Sequence, residues 1–284
     1  MAIPDFLIIG AMKSGTTTLQ AQLAAQTGIF MTTPKEPNYF SDDDVYARGA
    51  AWYAGLFEGA LPGDLKGEAS THYTKIPTHP HTLERMRPVL AAPRLVYMIR
   101  NPVARAVSHY LHAWSQGVVS TDVATAFAAR SDFTEYGRYA LQIAPFLEAY
   151  GPEAVLLTSL EEMTADPDAM LARVAAHIGL ESAVRWNADI DAQNVSAERY
   201  RRLPLHGFLI DNPVAEALRR TLVPKAWRTA LREARRPPVR PELPADLRAR
   251  LEATFIEDRA ALARLFPAHR ALELCYPFAR DLAA

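Results

Sequence analysis

Short apolar runs, bounded by glycine, proline or charged residues, punctuate the first two thirds of the chain, and each is followed by apolar positions at helical spacing. FLIIG at 6–10 and RLVYMI at 94–99 are continuous enough to predict strands buried on both faces. After the first comes SGTTTLQAQLAAQ, with Leu19 and Leu23 four apart on one helical face and hydroxyl residues at its start. After the second comes RNPVARAVSHYLHAW, where Pro102 suits a first helical turn and Val103, Val107 and Leu111 share a face. AVLLTSL at 154–160 leads into ADPDAMLARVAAHIGL at 165–180, a helix predicted to stop near Gly179. IFMTTP marks another strand region, and the stretch from Ser131 to Tyr150 predicts one long helix over the sheet. Strand and helix in alternation define an α/β fold, a parallel sheet flanked by helices.

Beyond about Ala183 the alternation stops. Residues 185–245 mix Asn, Arg and Pro with short apolar groups, which predicts a lid or acceptor-facing insertion within a single domain of residues 1–284. Between 217 and 240 stand Arg219, Arg220, Lys225, Arg228, Arg232, Arg235, Arg236 and Arg240 against Glu233 alone. A solvated basic helix explains this run, and so does contact with an acidic ligand or a membrane surface. The closing segment PELPADLRARLEATFIEDRAALARLF carries Leu247, Leu251, Phe255, Leu262 and Leu265, the pattern of an amphipathic helix packing back on the domain.

Composition narrows the classes. With 31 basic and 32 acidic residues the formal charge is −1, so no global field holds nucleic acid and any anion site must be local. A single cysteine, Cys275, forms neither an internal disulfide nor a cysteine-based zinc site, and reads as a small buried hydrophobe in a reducing compartment. The amino terminus lacks a basic segment ahead of a long apolar one, and no run approaches the roughly 18 apolar residues of a membrane span. The expectation is a cytoplasmic protein with no transmembrane segment.

The most informative segment is GAMKSGTTT, Gly10 to Thr18, where a buried strand passes into a helix. Gly10 and Gly15 allow a tight turn with inward N–H groups, Lys13 adds a charge, and Ser14, Thr16 and Thr17 supply hydroxyls at a helix start. A lysine roughly 4 Å from a phosphate is worth a few kcal/mol at intermediate dielectric, enough with the helix dipole to offset desolvation of an anion. The nucleoside-triphosphatase loop G-x-x-x-x-G-K-[ST] shares the glycine spacing, but here Thr16 occupies the lysine's place. The strand RLVYMI ends in Arg100 where an ATPase would offer an acidic residue for magnesium, which favours a second anion and no metal. Arg100 suits bidentate phosphate binding, and Ser108, two turns into the next helix, adds a donor.

GAMKSGTTT followed by MIRNPVARAVSHY resembles the paired 5′-phosphosulfate and 3′-phosphate loops of sulfotransferases that use 3′-phosphoadenosine-5′-phosphosulfate (PAPS). KEPNYF at 35–40 resembles the K-E-x-x-F-F segment of the bacterial and Golgi glycan branch, and GEASTHY at 67–73 resembles its G-E-[KA]-[ST]-P-x-Y. The resemblance runs from Phe6 to about Leu180, with YGRYALQIAPFLEAYG and PPVRPELPADLRARL as weaker matches. It implies a P-loop-NTPase-like sulfotransferase fold, PAPS as co-substrate with the 3′,5′-bisphosphate (PAP) as product, no metal, and an acceptor hydroxyl on a glycan, lipid or secondary metabolite. By that likeness Lys13, Ser14, Gly15, Thr16 and Thr17 would hold the 5′-phosphosulfate, and Arg100 and Ser108 the 3′-phosphate.

Sulfuryl transfer to an alcohol also needs a base, and Glu36, Glu68 and His72 are the candidates. The resemblance favours Glu36, the glutamate of K-E-x-x-F-F; Glu68 could instead fix a loop, and His72 falls where the branch has another residue. Lys35 pairs with Glu36 or faces the donor, and Ala69 stands where some glycan enzymes carry a lysine. Asn194, Ser196, Arg199, Arg201 and Arg202 lie in a segment that this superfamily returns over the nucleotide, with Arg201 taken as a cofactor contact. Trp114, Tyr136, Tyr139 and Trp186 suit either stacking on a ligand or the core. Two other readings stand beside this one: an ATP-dependent small-molecule kinase, and a nucleotide-binding module without chemistry.

Overall fold

The computed structural model describes residues 3–190 and 241–282. Within them lies a five-stranded, all-parallel sheet in the order β2-β3-β1-β4-β5, made of β1 (Phe6–Gly10), β2 (Ile29–Met31), β3 (Leu65–Ala69), β4 (Arg94–Ile99) and β5 (Val155–Ser159). Side chains alternate across a strand, so β1 and β4 feed two separate cores. Leu7, Ile9, Leu95, Tyr97 and Ile99 face one, covered by α5 (Pro102–Ser115), α8 (Tyr139–Tyr150) and α11 (Ala245–Leu265). Phe6, Ile8, Val96 and Met98 face the other, covered by α1 (Thr16–Ala24) and α10 (Pro167–Ile178). Each such buried side chain contributes about 1.5–3 kcal/mol, which is why apolar runs with no polar face become central strands.

Helix ends follow local chemistry. Asn101 opens α5 by accepting from Ala104 N at 2.9 Å, Asp166 opens α10 by accepting from Ala169 N at 3.1 Å, and Gly179 closes α10 in a left-handed conformation. The sheet edge and its flanks are completed by α2 (Asp43–Tyr46), α3 (Gly49–Gly55), α4 (Thr82–Met86), α6 (Val123–Ala129), α9 (Leu160–Ala165) and α12 (Ala271–Leu274).

Two features differ from the sequence pattern. The single helix expected over 131–150 is two, α7 (Asp132–Glu135) and α8, because the start of α8 is capped from outside: the buried Asp258 of α11 accepts from Ala140 N at 2.9 Å and Leu141 N at 3.3 Å. β3, read from LKGEA, has no apolar run at all, yet Gly67, Glu68 and Ala69 are buried beside β1, with Leu7 opposite Glu68. Cys275 is buried, as its composition-based reading has it, and its thiol donates to Glu161 at 3.2 Å. Of the lid expected over 185–245, residues 191–240, with Arg201 and the 217–240 basic run, lie outside the described residues. No helix among those described is long and apolar enough to cross a membrane.

Candidate functional site

In a parallel sheet every strand delivers its following loop to the same edge, and ligands gather there. Here that edge receives the turn after β1 (Lys13), the loop after β2 (Glu36), the segment after β3 (Thr71 to Lys75) and the exit of β4 (Arg100).

The β1 turn is built around small residues. A Cβ on Gly10 would stand 1.9 Å from the Thr74 hydroxyl oxygen, which donates to Ile9 O at 2.9 Å, so only glycine lets this hydroxyl close over the strand end. Lys13 and Gly15 both hold positive φ, 69° and 91°, and α1 starts immediately afterwards. The first N–H groups of a helix have no intrahelical partner. Ser14 is fully buried at the same place, and its hydroxyl oxygen has no hydrogen-bond partner among the described residues. A buried hydroxyl left unsatisfied costs about 1–3 kcal/mol, so this one fits a site that an oxyanion completes.

β4 lies directly beside β1, about 5 Å away by ordinary strand spacing. Arg100 leaves β4 and turns back: its Nη1 donates to the Lys13 carbonyl oxygen at 3.1 Å. Ser108 is buried on α5, the helix that follows. Of the aromatic residues considered as ligand stackers, Tyr139 is fully buried and Tyr136 nearly so, stacked on His109, which makes both core residues. Trp186 packs at the margin of the second core.

Glu36 has φ 62°, and its loop is pinned to the end of β3 by Glu36 N to Ala69 O at 3.0 Å and Asn38 N to Ser70 Oγ at 3.0 Å. Its carboxylate accepts from Thr71 N at 2.9 Å, from the Thr71 hydroxyl and from Lys35 Nζ. Burial pushes the Glu36 carboxyl up, but the Lys35 charge and hydrogen bond, the Lys75 charge and the Thr71 N–H outweigh it and leave it below the usual 4.5. The group is therefore an ionised carboxylate at neutral pH, only half-buried, facing the common edge.

Glu68 and His72 are placed differently. Glu68 is fully buried, and its oxygens accept from the Ser70 hydroxyl at 2.6 Å, the Tyr73 hydroxyl at 2.6 Å and the Tyr53 hydroxyl. Burial raises its pKa against those three bonds. It organises these hydroxyl groups, and through Ser70 and Tyr73 it fixes the segment that follows β3. His72 stacks on His79 with ring centroids 4.6 Å apart, and its Nδ1 is buried with no partner among the described residues. Burial, then the Lys75 and His79 charges, push it down to about 4.

Lys75 has no counterpart among the residues that the sequence singled out. It is 7% exposed, lies 5.6 Å from the Tyr136 ring centroid, and is pushed down to about 8 by burial against the attraction of Glu36. A lysine four positions past Thr71 follows no motif; only the close approach of the β2 and β3 loops reveals it. Among the described residues there is no group of three His, Cys, Asp or Glu side chains spaced to hold a metal ion.

Residues 3–233 match the family described as Sulfotransferase domain. Over 193 residues the chain is 30% identical to heparan sulfate glucosamine 3-O-sulfotransferase 6 of Mus musculus, covering 64% of this chain and 54% of that protein. It is 23% identical to bifunctional heparan sulfate N-deacetylase/N-sulfotransferase 1 of Caenorhabditis elegans, over 95% of this chain and 30% of that protein. The chain thus spans about half the length, or less, of these curated relatives. A sulfotransferase from Alicyclobacillus acidocaldarius superposes with a TM-score of 0.66 over 93% of this chain and 96% of that one, at 24% identity, which establishes the shared fold.

Proposed function

This chain belongs to the sulfotransferase-domain family, and from that premise we propose that it transfers the sulfuryl group of PAPS to a hydroxyl of a glycan-type acceptor. The observation that carries the reading is the 3.1 Å bond from the Arg100 guanidinium to the Lys13 carbonyl, which joins two cation-bearing loops at one sheet edge. One ligand with an anion at each end suits such a pair.

PAPS, bound as co-substrate, supplies an activated sulfuryl group and leaves as PAP. Lys13, Ser14, Gly15, Thr16 and Thr17 are assigned to its 5′-phosphosulfate, and Arg100 and Ser108 to its 3′-phosphate. In the transfer the acceptor oxygen bonds to sulfur as the bond from sulfur to the 5′-phosphate oxygen breaks, and the hydroxyl proton passes to Glu36. Lys13 and the N-terminal N–H groups of α1 neutralise charge on the leaving phosphate. Glu36 is the base because it is ionised, half-open and fixed by Thr71, whereas Glu68 is enclosed by hydroxyls and His72 falls where the resembling enzymes carry another residue. The name of the 3-O-sulfotransferase relative supports a glycan hydroxyl as acceptor.

The test is incubation of the purified chain with labelled PAPS and heparan-type glycans, in parallel with labelled ATP and magnesium. Label on the glycan from PAPS, undiminished by EDTA, is the expected result. Phosphate transfer from ATP with no sulfuryl transfer would replace this reading by the kinase one.

A further inference from the structure

The ladder between β4 and β5 ends at Ile99, so Arg100 and Asn101 must find partners for their backbone elsewhere. The buried Tyr139 hydroxyl takes both groups of Arg100, accepting from its N–H at 3.3 Å and donating to its carbonyl at 2.8 Å. The next N–H, of Asn101, donates to Glu161 Oε1 at 2.8 Å. Two consecutive residues are thus held by side chains from α8 and α9, while the guanidinium reaches Lys13.

Both residues are anchored to the carboxy-terminal segment, Tyr139 through the backbone of its helix and Glu161 through its side chain. Tyr139 opens α8, whose first N–H groups donate to Asp258 of α11. The second carboxylate oxygen of Glu161 accepts from the Cys275 thiol at 3.2 Å. Two independent connections therefore run from residues 258–275 to the exit of β4, although the family match ends at 233.

We propose that Tyr139 and Glu161 are positioning residues that aim the Arg100 guanidinium at the 3′-phosphate, and that the segment from Asp258 to Cys275 is part of the nucleotide site through them. This rests on the PAPS reading above. Neither side chain touches the nucleotide; each sets where the arginine fork stands, and a guanidinium displaced from bidentate register loses most of its preference for phosphate. Tyr139 suits the task because burial raises its pKa, which leaves it a neutral donor and acceptor throughout the working range.

Calorimetric titration with PAP and with AMP, which lacks the 3′-phosphate, separates this role from a general structural one. The wild type should bind PAP far more tightly than AMP. Tyr139→Phe, which removes only the hydroxyl, should weaken PAP about tenfold and leave AMP within about twofold. Glu161→Ala, acting through a different helix, should show the same selective loss, and it carries the test if Tyr139→Phe does not fold. Equal weakening of PAP and AMP, or no loss of PAP in a folded variant, overturns the positioning role while the PAPS reading stands. A wild type that binds the two nucleotides alike overturns that reading, and this inference with it.

Discussion

Lys75→Met is the most searching perturbation, because it should make the protein more stable while narrowing the acid side of its working range. The wild-type ammonium is held at a site where burial brings its pKa from 10.5 down to about 8 despite the nearby Glu36 carboxylate. At 1.36 kcal/mol per pH unit, that drop makes the charged form about 3 kcal/mol less favourable in the folded chain than in the unfolded one. Methionine keeps much of the aliphatic stem against Tyr136 and removes the charge. The sign is fixed by linkage. Below about pH 8 the lysine is charged in both states and the full cost is present. Between 8 and 10.5 the folded chain has released the proton and the unfolded chain has not, so wild-type stability rises with pH. Above that range both are neutral and the advantage of methionine vanishes. Urea or thermal unfolding at pH 7 should therefore show the variant ahead by about 3 kcal/mol, on the order of 5–10 °C for a chain of this size, and the gap should nearly close at pH 10.5. Removing the charge also releases Glu36, so the acid limb of the rate profile should move upward in pH. Equal midpoints at pH 7, or a gap that persists at pH 10.5, would refute the reasoning.

Three further outcomes follow from the site. Glu36→Gln should lower kcat by about a hundredfold or more while PAP affinity stays near wild type, read by transfer kinetics and calorimetry; a kcat within threefold removes it as the base. Ser14→Ala should leave stability equal or raise it by about 1 kcal/mol, because a buried orphan hydroxyl is lost, yet weaken PAP binding; a destabilised variant with unchanged affinity would contradict the role of that hydroxyl. Glu68→Ala should cost about 3 kcal/mol in chemical denaturation by stranding the hydroxyls of Tyr53, Ser70 and Tyr73, while the folded fraction keeps its kcat. A selective loss of kcat with stability intact would return Glu68 to the list of bases.

Residues 6–10, 94–99 and 155–159 are strands because each is a short apolar run that must be covered on both sides, and the tight turn at 10–18 with its lysine and helix-start hydroxyls follows from glycine spacing and residue type. These are short-range properties, readable within a window of ten or twenty residues. Adjacency was not readable in that window. That β4 packs beside β1, so that Arg100 reaches Lys13, is a matter of strand order. Nor was β3, whose LKGEA becomes a buried strand only because Tyr53, Ser70 and Tyr73 bring hydroxyls to Glu68. The break before Tyr139 depends on Asp258, more than a hundred residues further on. The pKa values of Glu36 and Lys75 depend on which loops close on each other. Local pattern determines which segments form elements, since apolar burial and helix capping act between near neighbours. Tertiary structure decides where charge is desolvated and what satisfies it, because those energies depend on distance in space and not along the chain.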